Sequence, residues 1–286
     1  MPSLIDIRRR IRSVRNTQQI TKAMKMVSTA RLRRAQERVL LARPYARILT
    51  ELVANVASAA QSEQELAAHP LLVRRPEERV QLVFYTADRG LAGAFNSNLI
   101  KAAQQFLRER EGVRVEIEAI GRKGRDFFRK RKAALSGEHL GLGNRALYAD
   151  IVPVADRIME RYRQGEIDAV YLLYNEFKSI LSQKLAVERV LPVELPQGRR
   201  LTEYIYEQPP RELLEKLLPQ YVRVAFYHAL LESTAAEHAA RMTAMDAATS
   251  NAAELIEKLT LHLNRVRQAS ITREIIEVVS GAAALA

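Results

Sequence analysis

Residues 220–280 read QYVRVAFYHALLESTAAEHAARMTAMDAATSNAAELIEKLTLHLNRVRQASITREIIEVVS, and these 61 residues contain neither proline nor glycine. The segment from Ser3 to Arg43 also lacks both residue types. Because proline and glycine are the usual interrupters of helices, both terminal segments are predicted to be very long helices. Ten of the eleven glycines lie between Gly90 and Gly198, which indicates a compact domain with turns in the middle of the chain.

Apolar residues recur at helical spacing in both terminal segments, in a heptad-like pattern typical of two-stranded coiled coils. We predict an antiparallel two-helix coiled coil, with a long N-terminal helix over residues 1–60, a kink at Pro44 and a long C-terminal helix over residues 210–286. The predicted contact stripes consist of Leu4, Ile7, Ile11 and Val14, then Ile20, Met24, Val27 and Ala30, and in the second helix Leu255, Leu259, Leu263, Val266, Ile271, Ile275 and Val278.

The middle of the chain, residues 76–200, alternates short apolar runs with helical patterns. The predicted strands are Val80–Tyr85, Val113–Ile120, Ala169–Tyr174 and Leu185–Val193; the predicted helices are Ser97–Arg110, Lys123–Lys132 and Leu147–Gln164. Such alternation is typical of a largely parallel sheet covered by helices. We therefore predict a Rossmann-like α/β domain between the two long helices.

Positive charge is concentrated at the start of the chain. Residues 1–50 contain 13 Lys or Arg and two acids, whereas the remaining 236 residues contain 32 bases and 31 acids. Three interpretations stay open for this basic helix: a solvated face, a nucleic-acid surface, or docking on acidic loops of a partner protein. Residues 1–44 have no aromatic side chain for base stacking, which weakens the nucleic-acid interpretation.

Several classes of protein are disfavoured by composition. Cysteine is absent, which excludes disulfides, thiol catalysis and cysteine-bound metals. The five histidines are scattered and form no HExxH pair, so no metal site is expected. No run of 18 apolar residues occurs, so no membrane span is predicted.

The turn TADRGLAGAFN at Thr86–Asn96 follows the first predicted strand and precedes a helix. Its two glycines match neither GxGxxG nor GxxxxGK[ST], the phosphate-binding patterns. The favoured interpretation is a structural turn, in which Gly90 and Gly93 supply tight backbone geometry and Asn96 or Ser97 caps the helix. A dinucleotide site, and with it a nucleotide-dependent enzyme, is the weaker alternative. No nucleophile–base–acid grouping points to catalysis.

Three blocks of sequence resemble the gamma subunit of bacterial F-type ATP synthases. They are IRRRIRSVRNTQQITKAMKMVSTARLRRA at 7–35, TADRGLAGAFN at 86–96, and a C-terminal block within 237–285 that contains HAARMTAMDAATSNA and LNRVRQASITREIIEVVSGAAAL. Two positions depart from the family pattern: Ala92 stands where cysteine is frequent, and Leu263 where an aromatic residue is common. Neither departure affects the predicted architecture.

The resemblance implies a central rotor shaft that is not itself an enzyme. In the family, ion flow turns a membrane c-ring and the shaft, whose paired helices enter a ring of three alpha and three beta subunits and alter the beta sites where ATP is made. The α/β domain lies against the epsilon subunit and the c-ring. The resemblance implies no catalytic residue, cofactor, metal or nucleic acid, and a peripheral location on the cytoplasmic side of the bacterial plasma membrane.

The resemblance also assigns contact residues by position. Lys22, Met24 and Lys25 correspond to the part of the shaft that meets the acidic lever of beta, and Arg241 lies in the matching part of the second helix. Arg267, Gln268 and Thr272 fall in the RQASIT motif, which in the family bonds a loop of beta. A foot on the c-ring is expected at Tyr204, Tyr206 and Glu207.

Overall fold

The computed structural model describes residues 3–60, 69–180, 182–194 and 207–285. In chain order the elements are α1 (Leu4–Ala60), β1 (Arg79–Tyr85), α2 (Phe95–Glu109), β2 (Arg114–Ile120), α3 (Arg122–Lys130), β3 (Leu135–His139), α4 (Leu142–Arg145), α5 (Tyr148–Arg163), β4 (Ala169–Phe177), β5 (Gln183–Leu191) and α6 (Pro210–Leu285). They form two compact units: unit 1 joins the chain up to Ser28 with the chain from Met242, and unit 2 spans Thr29–Arg241.

Unit 2 contains a five-stranded sheet with the strand order β3-β2-β1-β4-β5. The pairs β1–β2, β1–β4 and β2–β3 are parallel, and β4–β5 is antiparallel. The first four strands follow the order of a Rossmann fold, in which the chain reverses direction across the sheet beside β1. Fully buried residues fill β1 from Val80 to Tyr85, because both faces of this central strand are covered.

Alternate residues of β1 point into two different cores of unit 2. Val83 and Tyr85 pack with α5 and with the unit 2 portions of α1 and α6. Val80, Leu82 and Phe84 pack with α2 and α3 on the other face, where the rings of Phe84 and Phe128 meet edge to face at 5.6 Å. The long helices thus cover one face of the sheet, and two shorter helices cover the other.

In unit 1, α1 and α6 pair in antiparallel fashion. The hydroxyl oxygens of Thr21 and Thr249 lie 2.7 Å apart, and Lys25 Nζ lies 2.6 Å from Asp246 Oδ1. Ile7 and Ile11 are buried as predicted, but the predicted stripe of α1 after the phase shift is wrong at Ile20, Val27 and Ala30, which are exposed. Thr21 and Ser28 are buried in their place because close helix pairing favours small side chains. The predicted stripe of α6 is wrong at four exposed positions: Leu255, Ile271, Ile275 and Val278.

The predicted fold class is confirmed: a two-helix coiled coil and a Rossmann-like domain with a largely parallel sheet. Two elements were not predicted, the edge strand β3 and the one-turn helix α4. α1 continues through Pro44, and the kink predicted there stays a prediction. Among the residues that the structure describes, no helical segment combines the length and the hydropathy needed to span a bilayer.

Candidate functional site

The turn Thr86–Asn96 lies at the carboxyl end of β1, where Rossmann-like sheets usually bind their ligands. In this chain, polar side chains of the turn form hydrogen bonds with backbone groups of unit 2. The carboxylate of Asp88 accepts hydrogen bonds from the N–H of Arg122 at 3.0 Å and the N–H of Gly141 at 2.9 Å, at the starts of α3 and α4. The hydroxyl of Thr86 donates to the carbonyl of Ile120 and accepts from the N–H of Gly124. These bonds connect the loops that follow β1, β2 and β3 at the carboxyl end of the parallel strands.

The helix cap predicted at Asn96 or Ser97 is wrong at both positions. The structure places the N-cap of α2 at Ala94, without a side-chain cap. The Asn96 amide oxygen instead accepts the N–H of Ala87 at 3.0 Å and closes the turn on itself. Gly93 supplies the predicted tight geometry, with φ of 53°. The same prediction is wrong at Gly90, which lies outside the left-handed region and has room for a Cβ atom; the second left-handed position is Leu91, with φ of 60°.

Arg241 of α6 connects that helix to the turn. Its guanidinium donates to the carbonyl oxygens of Arg89 at 3.3 Å and Gly90 at 3.4 Å, and lies 2.7 Å from the carboxylate of Glu237. Arg241 is buried, so within this chain its charge is balanced and its donors are occupied. The predicted contact of Arg241 with a beta subunit stays a prediction, and the structure adds a role in joining α6 to the sheet.

Glu237 and His238 complete this cluster. Burial raises the pKa of Glu237 above its ordinary value, while Arg241 acts in the opposite direction. Burial and the charges of Arg241 and Arg31 lower the pKa of His238 to about 4. His238 is therefore neutral at pH 7 and can accept the hydrogen bond from Arg241 at its Nδ1, at 3.4 Å. A cavity of about 30 Å³ lies between the turn and α6, which is large enough to hold a water molecule.

The predicted contact residues of unit 1 lie on both of its helices, three on α1 and three on α6. Lys22 is exposed, Met24 is half-buried, and Lys25 forms an ion pair with Asp246. Further along α6, Arg267 and Gln268 are exposed, and the exposed Thr272 donates its hydroxyl proton to the Gln268 carbonyl at 3.0 Å. The side chains of Lys22, Arg267 and Gln268 are therefore available to a partner.

The predicted foot is described at one position only. Glu207 is exposed and precedes α6, whereas Tyr204 and Tyr206 lie outside the described residues. Within the described ranges, no group of three His, Asp or Glu side chains could hold a metal ion.

Similarity to known proteins extends along nearly the whole chain. The ATP synthase family model matches residues 3–285. An ATP synthase gamma chain of Solibacter usitatus is 64% identical over 284 residues, covering 99% of each chain. One from Desulfitobacterium hafniense is 50% identical and covers 100% of each. This chain belongs to the ATP synthase gamma chain family.

Solved structures match the fold of this gamma-family chain at lower identity. A chain of the Euglena gracilis mitochondrial ATP synthase, solved with OSCP, F1 and c-ring, has a TM-score of 0.70 at 20% identity, covering 99% of this chain and 94% of that one. A chain of the Tetrahymena thermophila mitochondrial central stalk and c-ring has a TM-score of 0.62 at 24% identity, covering 80% and 99%. The gamma fold is thus shared despite low sequence identity.

Sequence reasoning missed several residues of the structural cluster in this gamma-family chain. The sequence pattern places Asp88 in a turn and singles out neither Glu237 nor His238. A signal for Glu237 was present, because Glu237 and Arg241 are spaced four residues apart on a helix, which is the spacing of intrahelical ion pairs. Nothing local in the sequence indicates that Asp88 bonds the starts of two distant helices.

Proposed function

We propose that this chain is the central rotor shaft of an F-type ATP synthase, which couples ion flow through a membrane c-ring to conformational change and ATP synthesis or hydrolysis at the beta subunits. Residues 1–60 and 210–286 would form the shaft, and residues 76–200 the α/β domain at its base. In this proposal the chain itself is not catalytic and binds no cofactor.

The observation that carries the proposal is the apolar surface of α6 in unit 1. Between residues 271 and 279, five large aliphatic side chains are exposed, from 48% at Ile271 to 72% at Val278; they are Ile271, Ile275, Ile276, Val278 and Val279. A contiguous exposed apolar surface of this kind marks an interaction site in a water-soluble protein. An apolar surface without directional bonds suits a shaft that turns inside an enclosing ring.

Charged and polar residues supply the directional contacts in this proposal. Lys22, Met24 and Lys25 on α1 would meet the acidic lever of beta, together with Arg241. Arg267, Gln268 and Thr272 on α6 would bond a second loop of beta. The concentration of 13 basic residues in positions 1–50 fits an acidic protein partner.

Rotation acts by shifting populations. Three identical beta sites surround one asymmetric shaft, so each site meets a different side of it at any instant. Contacts that differ between conformations of beta change which conformation each site prefers. Turning the shaft therefore changes nucleotide affinity at the three sites in sequence, without the shaft touching nucleotide.

At the base, the proposed partners are the epsilon subunit and the c-ring, with Tyr204, Tyr206 and Glu207 as the foot. The proposed stoichiometry is one shaft to three alpha and three beta subunits. The proposed location is the cytoplasmic face of the bacterial plasma membrane, held there through the c-ring.

The test is co-assembly with purified alpha and beta chains from the same organism. We expect a stable particle whose ATP hydrolysis depends on this chain. A particle that hydrolyses ATP equally well without it, or a failure of the three chains to associate, would contradict the proposal. Salt-sensitive binding of the isolated chain to DNA would instead support the nucleic-acid interpretation of the basic helix.

A further inference from the structure

A cavity of about 380 Å³ lies in unit 2, where α1 and α6 meet the strands β4 and β5. It exists because both helices contribute short side chains to its wall, among them Ala46 on α1 and Ala225 on α6. A volume of this size is typical of small-molecule sites. We propose that this cavity, which we call the Glu188 cavity, binds a small organic cation that carries an ammonium group on an apolar body.

Glu188 of β5 is the carboxylate that lines this cavity. It accepts the hydroxyl proton of Tyr174 at 3.0 Å. Among the residues that the structure describes, no lysine, arginine or histidine forms an ion pair with Glu188. An ammonium group would supply the missing positive charge, because it donates charge-assisted hydrogen bonds to a carboxylate.

The two guanidinium groups that line the Glu188 cavity already have carboxylate partners. Arg43 lies 2.9 Å from the buried carboxylate of Glu232. Arg47 Nε lies 4.0 Å from the carboxylate of Glu51, four residues later on α1. Each arginine charge is thus matched by a carboxylate, and the charge of Glu188 is left over. The cavity therefore favours a cation over an anion.

Two tyrosine rings, Tyr174 of β4 and Tyr221 of α6, line the same cavity. Burial and the nearby charge of Glu188 raise the pKa of both hydroxyl groups, so both tyrosines are neutral at pH 7. The faces of neutral tyrosine rings attract a cation, and the same rings cover apolar surface. A carboxylate with two tyrosine rings beside it is a favourable setting for an ammonium group.

These features define the chemistry of the guest. A neutral alcohol of the same shape would lose the ionic bond to Glu188. A very short alkylammonium would keep that bond but lose the apolar contacts with Ala46, Val224 and Ala225, which line the cavity. The inference does not depend on the proposed rotor function, because all these residues belong to unit 2 of this chain.

The experiment is calorimetric titration of the full chain with 2-phenylethylammonium chloride. His228 also lines the cavity, so the titration is run at about pH 8, where an ordinary histidine is neutral and an alkylammonium stays protonated. We expect saturable binding that is at least about fivefold weaker for the neutral 2-phenylethanol and for methylammonium. Absence of saturable binding, or equal affinity for 2-phenylethylammonium and either control compound, would overturn the proposal.

Two charge variants give predictions of different sign. Glu188→Gln removes the charge but keeps an oxygen for the Tyr174 hydroxyl, and it should weaken binding at least about fivefold. Arg47→Gln removes a positive charge from the cavity wall, so binding should be as tight as in the wild type or tighter. Glu138→Gln on β3, at the opposite edge of the sheet, is the matched control for Glu188→Gln and should leave binding unchanged. Equal effects of the two glutamate variants, or weaker binding in Arg47→Gln, would overturn the proposal.

A pair of alanine variants tests the location. Ala225 lines the Glu188 cavity, whereas Ala42 lines a separate cavity of about 320 Å³. Ala225→Phe should fill the Glu188 cavity and abolish binding, and Ala42→Phe should leave binding intact, with circular dichroism unchanged in both. If Ala225→Phe does not fold, Glu188→Gln and Arg47→Gln still decide, because both residues are exposed and tolerate substitution. Retained binding in folded Ala225→Phe, or its loss in folded Ala42→Phe, would overturn the proposal.

Discussion

The guanidinium of Arg43 on α1 lies 2.9 Å from the carboxylate of Glu232 on α6, whose side chain is 1% exposed. The same carboxylate accepts the N–H of Phe177 at the end of β4 at 3.0 Å and lies 3.3 Å from His228 Nε2. These partners hold the pKa of Glu232 below its ordinary value despite burial, which acts in the opposite direction. One buried charge thus connects two helices and the sheet of unit 2.

Removing the Arg43 side chain should therefore lower the free energy of unfolding. Arg43→Ala leaves the Glu232 carboxylate buried with only His228 and one backbone N–H, and we expect a loss of about 3 kcal/mol in the free energy of unfolding. Urea denaturation at pH 7 measures it. Arg33→Ala, in an exposed pair on the same helix, should cost less than about 0.5 kcal/mol. Equal losses in the two variants would contradict a stabilising role of Arg43 toward the buried Glu232 carboxylate.

His238 should make stability depend on pH. Its pKa is about 4 in the folded chain and 6.5 ordinarily, so between these values the unfolded chain binds a proton that the folded chain does not. Stability contributed by neutral His238 is therefore present above pH 6.5 and is lost as the pH falls toward 4. From pH 7 to pH 5 the loss should be about 2 kcal/mol.

The measurement is urea unfolding at both pH values for the wild type and for His238→Gln. The raised pKa of Glu237 contributes with the opposite sign in both proteins, and subtracting the two removes it. We expect the wild type to lose about 2 kcal/mol more than the variant on going to pH 5. Parallel pH profiles would mean that the pKa of His238 is the same in the folded and unfolded chains.

Gly121 follows β2 with φ of 96°, and a Cβ atom there would lie 2.0 Å from the carbonyl oxygen of Thr86. Gly121→Ala should therefore incur both left-handed strain and a steric clash with the backbone. Gly112→Ala is the matched control, with φ of 95° and no atom within 4 Å of the added Cβ. We expect Gly121→Ala to be less stable than Gly112→Ala by at least about 2 kcal/mol in thermal or urea unfolding. Equal losses of stability in the two variants would show that left-handed backbone strain, without a steric clash, accounts for the destabilisation.

Much of this fold follows from local pattern, and the exceptions depend on tertiary contacts. The absence of helix breakers from Ser3 to Arg43 and from residue 220 to residue 280 suffices to predict most of α1 and α6, although each helix also contains one internal proline, Pro44 or Pro219. Apolar runs suffice for the central strands. The edge strand β3, with sequence LSGEH, has no apolar alternation, and it forms because Ile117–Ile120 offers a neighbour to pair with. The burial of Thr21 and Ser28 could not be read from hydropathy, since close packing of two helices selects size rather than polarity.

For the candidate contact residues, too, the sequence predicts some features and leaves others to tertiary contacts. Gln268 and Arg267 are exposed, as a partner contact requires, but exposure alone does not identify the partner. Arg241, assigned by position to a partner, also bonds the carbonyl oxygens of Arg89 and Gly90 inside its own chain, which no sequence pattern indicates. A long-range contact between an arginine and two backbone carbonyls leaves no trace in residue spacing.

Gln268 offers the sharpest test of the shaft interpretation. Its side chain is exposed on α6, so Gln268→Leu should change the free energy of unfolding by less than about 0.5 kcal/mol. If Gln268 bonds a loop of beta, losing hydrogen bonds worth about 1.4 kcal/mol should reduce coupled ATP hydrolysis of the assembled particle about tenfold. Asn251→Leu makes a similar polar-to-apolar change at another exposed position of α6 and should leave hydrolysis near the wild-type rate. Should both variants reduce hydrolysis equally, added apolar surface would be the cause, and Gln268 would have no specific contact to lose.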